Sequence, residues 1–174
     1  MGLMRKLMMG CAPGERILVN TTEPHTSPEL MNTPITLTVG ASYSVSWTGE
    51  FPTATSDYIY PFRVYGGTSA LYNICDLRLK TAGTQGINIV ARMFGTEIAG
   101  FAIERGYGYI LETRFTVMSV TEKDGITVYT VTAGFYINGY KITEKNDVKN
   151  TMDVGEGLKY YDNLAGTFVI KKLS

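Results

Sequence analysis

Two tyrosine-rich segments contain the residues whose chemistry best suits ligand binding. The first is Tyr160-Tyr161-Asp162-Asn163, and the second is Arg105-Gly106-Tyr107-Gly108-Tyr109. Sugar binding combines stacking of an apolar ring face on an aromatic side chain with a few directed hydrogen bonds. These segments therefore predict the following carbohydrate-binding residues: Tyr160, Tyr161, Asp162, Asn163, Tyr107 and Tyr109. The alternative, that the tyrosines pack into the core or cover a sheet edge, stays open for both segments.

The acidic residues form no pair suited to catalysis. Retaining glycosidases use two carboxyl groups about 5–5.5 Å apart, a separation that alternate residues of one strand would supply. Glu97, Glu104 and Glu112 are isolated, and Glu122 and Asp124 flank a turn. We therefore predict no catalytic residue and no enzymatic activity.

Metal and cofactor sites are also disfavoured. The chain has one histidine, His25, and two cysteines, Cys11 and Cys75, without a CxxC pair, so the usual zinc ligands are missing. Cys75 falls in a predicted strand, and we expect a small buried residue without a disulfide. Calcium requires several oxygen ligands. The candidate aspartates lie far apart in the chain: Asp57, Asp153 and Asp162. No metal and no cofactor is predicted.

Length and composition indicate one ordinary globular domain. The chain has 174 residues, 44% of them hydrophobic and 18% charged, with a formal net charge of 0. A neutral chain without a long basic run gives no electrostatic basis for binding nucleic acid or an anionic membrane. No run of about 18 apolar residues is present, so no transmembrane helix is predicted.

The segment from Tyr109 to Lys141 dominates the predicted architecture. Its β-branched and aromatic residues form three runs separated by Lys123-Asp124-Gly125 and Asn138-Gly139. Asp-Gly and Asn-Gly favour tight hairpin turns because both residues tolerate positive φ. The segment therefore predicts a three-stranded antiparallel meander.

Elsewhere the chain alternates between apolar and polar residues at period two. Tyr43, Val45 and Trp47 alternate with serines, and Trp47 is predicted to lie in the core. The alternation also predicts a strand at 35–39, an edge or bulged strand at 58–65 around Pro61, and a short strand at 152–155. Residues 143–151 and 156–166 are predicted loops.

Roughly ten to twelve short strands without a helical period favour an all-β, antiparallel two-sheet sandwich, with a closed barrel as the alternative. Residues 1–34 are predicted to be an N-terminal extended arm and a proline-rich crossing, with Pro24, Pro28 and Pro34, and residues 35–174 the β-sandwich domain. The apolar start of the arm is expected to dock on a partner chain or to fray. A lipidated Cys11 is the less favoured alternative, because the apolar run before it is short.

Residues 35–173 resemble the concanavalin A-like, or laminin G-like, jelly-roll sandwich. The resemblance rests on the aromatic early strand Tyr43-Ser44-Val45-Ser46-Trp47, on the hairpin within Phe135–Ile142, on Met152-Asp153-Val154-Gly155, and on the ending Tyr161–Ile170. The acidic residues that close the pattern in that group are missing after Gly166. That superfold includes lectins, glycanases, adhesion modules and virion proteins, so the resemblance implies a fold and leaves the function open.

Two functions follow as expectations. The first is a non-enzymatic virion structural or assembly protein, such as a phage capsid decoration, head-fibre or tail-associated subunit. It would form a homo-oligomer or bind other virion subunits through the arm. The second is a carbohydrate-binding module that recognises host-surface or extracellular glycans, on a virion or as a secreted or cell-surface protein.

Overall fold

A computed structural model describes residues 14–22, 29–30, 35–51, 60–66, 73–82, 86–154, 159–161 and 164–174, with backbone alone for 29–30, 80–82 and 159–161. Twelve strands and no helix occur within these ranges. The strands are β1 (Arg16–Thr21), β2 (Glu29–Leu30), β3 (Ser42–Glu50), β4 (Phe62–Tyr65), β5 (Asn73–Ala82), β6 (Gly86–Met93), β7 (Thr96–Glu104), β8 (Gly108–Lys123), β9 (Ile126–Ile137), β10 (Tyr140–Lys149), β11 (Lys159–Tyr161) and β12 (Thr167–Lys172). No helix long and apolar enough to cross a membrane is found among the described residues.

The strands form two antiparallel sheets of six. Sheet A has the order β1-β12-β3-β8-β9-β10, and sheet B has the order β2-β11-β4-β5-β6-β7. Inward-facing side chains of both sheets share one core that includes Trp47, Phe62, Phe115 and Phe168. The chain is therefore an all-β jelly-roll sandwich, as its sequence predicts.

The meander is confirmed as β8, β9 and β10. Asp124 and Gly125 have φ values of 51° and 78°, and Asn138 and Gly139 have 50° and 83°. Both turns thus use the positive φ that Asx-Gly pairs tolerate. The Asn138 turn is also tied to β8, because Asn138 N donates to Ile110 O (2.8 Å) and Ile110 N donates to Asn138 Oδ1 (2.8 Å).

The expected core positions are confirmed for Trp47 and Cys75, both with no exposed surface. Trp47 packs on Phe51 with ring centroids 4.9 Å apart, and its Nε1 donates to Leu164 O (3.3 Å). Cys75 is a free thiol whose pKa is raised by burial, so the neutral form is strongly favoured.

Two predicted strands are absent. Residues 35–38 have no regular structure and 39–40 form a turn, because Thr36 N donates to Tyr43 Oη (2.9 Å) and that hydroxyl donates to Thr36 O (3.0 Å). These bonds draw the segment against β3 instead of into a ladder. Residues 151–152 form a bend and 153–154 have no regular structure; Gly155 lies outside the described residues.

Three further boundaries differ from the prediction. Pro61 lies in a bend, and β4 begins after it as an interior strand between β11 and β5, with a bulge at Val64–Tyr65. The predicted loop at 143–151 is mostly strand β10, which is polar and exposed along most of its length because it is the edge of sheet A. The predicted loop at 156–166 contains β11.

The boundary at residue 34 stays a prediction, while β1 and β2, both from residues 1–34, are strands of the two sheets. Residues 1–13, including Cys11, lie outside the described residues, as do His25 and Asp57.

Candidate functional site

The six predicted sugar-binding residues are divided between the two sheets. Tyr160 and Tyr161 belong to β11 in sheet B, whereas Tyr109 belongs to β8 in sheet A and Tyr107 lies in the turn before it. Asp162 and Asn163 lie outside the described residues. β11 and β8 are not neighbours in either sheet, so these tyrosines do not share a strand pair.

Tyr109 has a structural role and Tyr107 is exposed. The Tyr109 ring packs on Phe51 with centroids 5.8 Å apart, and its hydroxyl donates to Glu104 O (3.2 Å). Tyr107 is 59% exposed, and it is the member of the pair whose ring is accessible.

Tyr161 occupies a register position next to an unpredicted set of arginines. Cross-strand partners run from Tyr161 to Arg63, Asp76, Arg92 and Glu97, across β11, β4, β5, β6 and β7. Side chains of directly opposed residues lie on one face of a sheet. Phe62, Val64, Cys75 and Leu77 face the core, so the side chains of Arg63, Asp76, Arg92 and Glu97 lie on the outer face of sheet B.

The row is centred on a buried carboxylate. Asp76 has no exposed surface, and Arg92 binds it with two hydrogen bonds, from Nε to Oδ1 (2.9 Å) and from Nη2 to Oδ2 (2.6 Å). Asn73 Nδ2 also donates to Asp76 Oδ2. The bond to Asp76 is the main reason that the pKa of Arg92 is raised. A bidentate, charge-assisted pair of this kind fixes both side chains.

Further cations and two tyrosine rings surround this pair. The guanidinium carbon of Arg63 lies 5.3 Å from the ring centroid of Tyr60 and 5.5 Å from that of Tyr65. Arg78 is two residues beyond Asp76 on β5 and pairs with Val90. The row therefore holds two arginines, Arg63 and Arg92, and two carboxylates, those of Asp76 and Glu97, and Arg78 adds a third guanidinium beside it.

Two small residues, Gly100 and Ala102, lie on the β7 side of this face. Gly100 is the cross-strand partner of Val90, and Ala102 that of Asn88. The Glu97 carboxylate lies over Gly100, since a Cβ there would come within 2.8 Å of Glu97 Oε1, while Ala102 is exposed. The candidate site, called the arginine face below, comprises Arg63, Asp76, Arg78, Asn88, Arg92 and Glu97. Its chemistry suits a ligand with a carboxylate and several hydroxyl groups.

The outer face of sheet A has a smaller polar cluster that is internally balanced. Arg114 donates to both carboxylate oxygens of Glu112 (2.9 and 2.8 Å), and Ser44 Oγ donates to Glu112 Oε1 (2.5 Å). The Arg114 guanidinium lies 4.3 Å from the Tyr136 ring centroid. One cation and one anion neutralise each other here, so this cluster offers less attraction for a charged ligand than the arginine face.

The arginine face has only a weak signature in the sequence. Its members lie on β4, β5, β6 and β7 and come together through strand register, which the sequence alone does not specify. The available signal was that Asp76 and Arg78 occupy the polar phase of an alternating strand. In the described residues, no group of three or more histidine, cysteine or acidic side chains could hold a metal ion.

No protein-family model matches the chain, and no curated protein is similar to it in sequence. Solved structures similar to it include a SAP-like pentraxin from Limulus polyphemus, with 13% identity and a TM-score of 0.44 over 76% of this chain and 65% of the pentraxin. This chain therefore spans less than two thirds of the pentraxin. A variant of human galectin-16 has 14% identity and a TM-score of 0.35, over 88% of this chain and 98% of the galectin.

A tail fiber protein from an E. coli phage is similar over 91% of this chain and 20% of the fiber, with 10% identity and a TM-score of 0.33. An alginate lyase from Chlorella virus is also among these neighbours. At these identities and TM-scores the neighbours say nothing specific about the ligand or activity of this chain.

Proposed function

We propose that this chain is a non-enzymatic recognition protein that binds acidic glycans on the arginine face. The observation that carries the proposal is the cluster of Arg63, Arg78 and Arg92 on three neighbouring strands around one buried aspartate. A guanidinium pairs with the carboxylate of an acidic sugar in a planar, bidentate geometry. The whole chain has a formal net charge of 0, so this grouping of three guanidinium groups is a feature of the site and not of the composition.

The neighbouring groups suit the rest of a sugar ring. The Asn88 amide and the Glu97 carboxylate can exchange hydrogen bonds with hydroxyl groups. Ala102 has a small, exposed side chain beside Asn88, and Tyr161 is the register partner of Arg63 on the side of β11. In this arrangement Arg92 is held by Asp76, while Arg63 and Arg78 supply the further positive charge.

A glycan array that contains sialylated and uronate-bearing glycans beside their neutral parents tests this function. We expect binding to the acidic members only, and a loss of about tenfold or more for Arg78→Gln, because a charge-assisted bond contributes about 1.5–3 kcal/mol. Tyr161→Ala should weaken binding with an unchanged Tm. Lys141→Gln, which removes an exposed charge on β10, is the matched control.

Equal binding of acidic and neutral glycans would overturn the proposal, and so would unchanged affinity in a folded Arg78→Gln variant. The Arg78→Lys variant separates the effect of charge from that of geometry, since it keeps the positive charge and removes the planar guanidinium group. An intermediate affinity is expected for it.

A second candidate function is assembly into a larger particle, most simply a phage virion, through residues 1–13. The supporting observation is where β1 begins. Arg16 pairs with Lys172, and Leu173 N donates to Ser42 O (2.8 Å), next to the Ser42–Thr116 pair. β1 therefore starts at the end of sheet A where Val39, Met118 and Val120 are exposed by 63%, 55% and 36%.

An apolar segment that enters at this end can cover those side chains on a neighbouring copy. Residues 1–13 include Leu3, Leu7 and Met8, and thirteen extended residues reach about 40 Å. Size-exclusion chromatography with light scattering, together with negative-stain microscopy, tests the idea. We expect an oligomer that a deletion of 1–13 or Met118→Glu converts to a monomer. A monomeric full-length chain with no affinity for any particle would contradict it, and acidic-glycan binding would be unaffected by that result.

A further inference from the structure

An open groove of about 450 Å³ lies on sheet A, at the far end of the β8–β9 hairpin. Its walls and floor come from β8, β9, the turn between them, and the chain at the end of β10. The lining residues are Ser119, Thr121, Lys123, Asp124, Ile126, Val128, Thr130, Lys149, Asn150 and Thr151. Register places Thr130 between Ser119 and Lys149. Val131 faces the core, so Thr130 and the groove belong to the outer face.

Two bulges at the same level shape the groove. The register of β8 against β9 shifts between Val117 and Ser119, and that of β10 against β9 shifts between Lys145 and Val148. Asp147, in the second bulge, has a φ of 57°. A bulge bends its strand and increases the local twist. Both strands that pair with β9 have a bulge near Val131. The part of the hairpin between Val131 and the β8–β9 turn is therefore bent.

The Asn150 side chain holds in place the wall of the groove that lies at the end of β10. Its Oδ1 accepts from Tyr129 N (2.6 Å), and its Nδ2 donates to Thr127 O (2.8 Å) and Met152 O (2.9 Å). The amide thus continues the ladder of β10 along β9 by one step. The backbone groups of β9 that an extended peptide would use for strand addition are therefore already occupied.

The side chains of the groove provide an apolar surface, several hydroxyl groups and two positive charges. Its floor is apolar at Ile126 and Val128, and its hydroxyl groups come from Ser119, Thr121, Thr130 and Thr151. The ammonium groups of Lys123 and Lys149 stand on different strands, and neither forms an ion pair with a described residue. Asp124, at the turn, is the one acidic side chain of the lining.

We infer that this groove binds a carboxylate-bearing oligosaccharide segment, an oligouronate, as a second glycan site. The lysines pair with carboxylates of the ligand, the hydroxyl groups exchange hydrogen bonds with its hydroxyls, and the apolar floor contacts a sugar face. The inference rests on the proposed function and deepens it, because both sites take acidic glycans. The two sites lie on the outer faces of opposite sheets, so one chain can bind two segments and gain avidity on a polysaccharide surface.

Isothermal titration of the full chain with hexagalacturonate, and with neutral maltohexaose as the control ligand, tests the groove. We expect the wild type to bind hexagalacturonate at both sites. The Lys123→Gln/Lys149→Gln double variant should bind it in the groove about tenfold or more weakly for each lysine removed, so that the binding left is that of the arginine face. Lys141→Gln/Lys172→Gln removes the same charge elsewhere on sheet A and should keep the affinity. Amide shifts in NMR should move at 119–130 in the wild type and not in the groove variant.

The outcomes separate this site from the arginine face. If Arg78→Gln abolishes binding and the groove variant binds as the wild type does, the groove inference is wrong and the proposed function stands. If only the groove variant loses binding, the inference stands and the arginine face is wrong. Equal affinity for maltohexaose, or for an aspartate-rich peptide, would overturn an oligouronate as the occupant.

Discussion

The Trp47 indole lies between two glycines, Gly49 and Gly166. A Cβ at Gly49 would come within 2.4 Å of Trp47 Cζ2, and a Cβ at Gly166 within 2.4 Å of Trp47 Nε1 and 2.7 Å of Thr48 O. Such distances are shorter than non-bonded atoms allow, so both positions need the absence of a side chain. The indole reaches Leu164 O only because these residues leave it room.

We predict that Gly49→Ala and Gly166→Ala each lower the free energy of unfolding by about 1–3 kcal/mol, as overpacking of a filled core does. Gly86→Ala is the control, because a Cβ there meets no atom closer than 3.9 Å. Urea unfolding monitored by tryptophan fluorescence measures all three. A Gly166→Ala variant as stable as Gly86→Ala would show that the indole can move aside.

At the level of single residues, the sequence predicted which apolar side chains are buried, but not which polar side chains bind each other. Alternation identified Trp47 and Cys75 as core residues, because period two follows directly from the pleat of a strand. It did not identify Asp76 as buried, since an aspartate in the polar phase of a strand is ordinarily solvated. Asp76 is buried because Arg92 and Asn73 hydrogen-bond it, and their positions depend on strand pairing.

At the level of elements, one side chain, that of Asn150, supplies the hydrogen bonds that hold the end of the β8–β9 hairpin. β10 ends at Lys149, and beyond it Asn150 supplies the hydrogen bonds for Tyr129 N and Thr127 O. Asn150 is 6% exposed, so these groups have little access to water. A buried backbone group left without a partner costs about 1–3 kcal/mol.

We predict that Asn150→Asp destabilises the protein by about 1–3 kcal/mol at neutral pH, because it keeps the shape of the side chain and removes both N–H donors. Asn146→Ala, at an exposed site with one side-chain bond to Thr132, should change stability by less than about 0.5 kcal/mol. Urea unfolding of both variants measures the effect on stability. An Asn150→Asp variant as stable as Asn146→Ala would contradict the prediction, because the lost donors serve Thr127 O and Met152 O.

Strand boundaries were predictable where a turn has a strong sequence preference. Asp124-Gly125 and Asn138-Gly139 defined the meander, because few residues adopt positive φ at low cost. The second half of β10 was missed, since an edge strand with polar residues on both faces gives no alternation, and its bulge at Asp147 breaks the period. β11 was missed because three residues are too short for a periodic signal.

For the whole molecule, one core joins the two sheets. Phe62 of sheet B lies 6.2 Å from Phe168 of sheet A, and Phe101 of sheet B lies 5.1 Å from Phe135 of sheet A, measured between ring centroids. Lys145 of β10 also donates to Glu97 O of β7 (3.3 Å), where the edges of the two sheets meet. Neither sheet can keep its apolar face covered if the other unfolds.

The two proposed binding sites show why the sequence predicts the fold of the whole molecule better than its surface sites. The number and spacing of strands predicted a two-sheet sandwich. The arginine face required the pairing of β4 with β5 and of β5 with β6, and the groove required bulges in β8 and β10. Register and bulges depend on packing between distant parts of the chain, so the sites that they form were not visible from residue types and spacing.

The shared core leads to the last prediction, that the protein unfolds in a single transition. Trp47 is the one tryptophan and lies in the core, so its fluorescence reports the packing between the sheets, while far-ultraviolet circular dichroism reports the strands of both. In urea the two signals should give the same midpoint and the same slope, because loss of the core removes the reason for either sheet to persist. Removal of residues 1–13 should leave that midpoint unchanged at low protein concentration, since the twelve described strands lie between Arg16 and Lys172. If fluorescence is lost at a lower urea concentration than the strand signal, one sheet survives without the other, and the two faces would belong to separately stable halves.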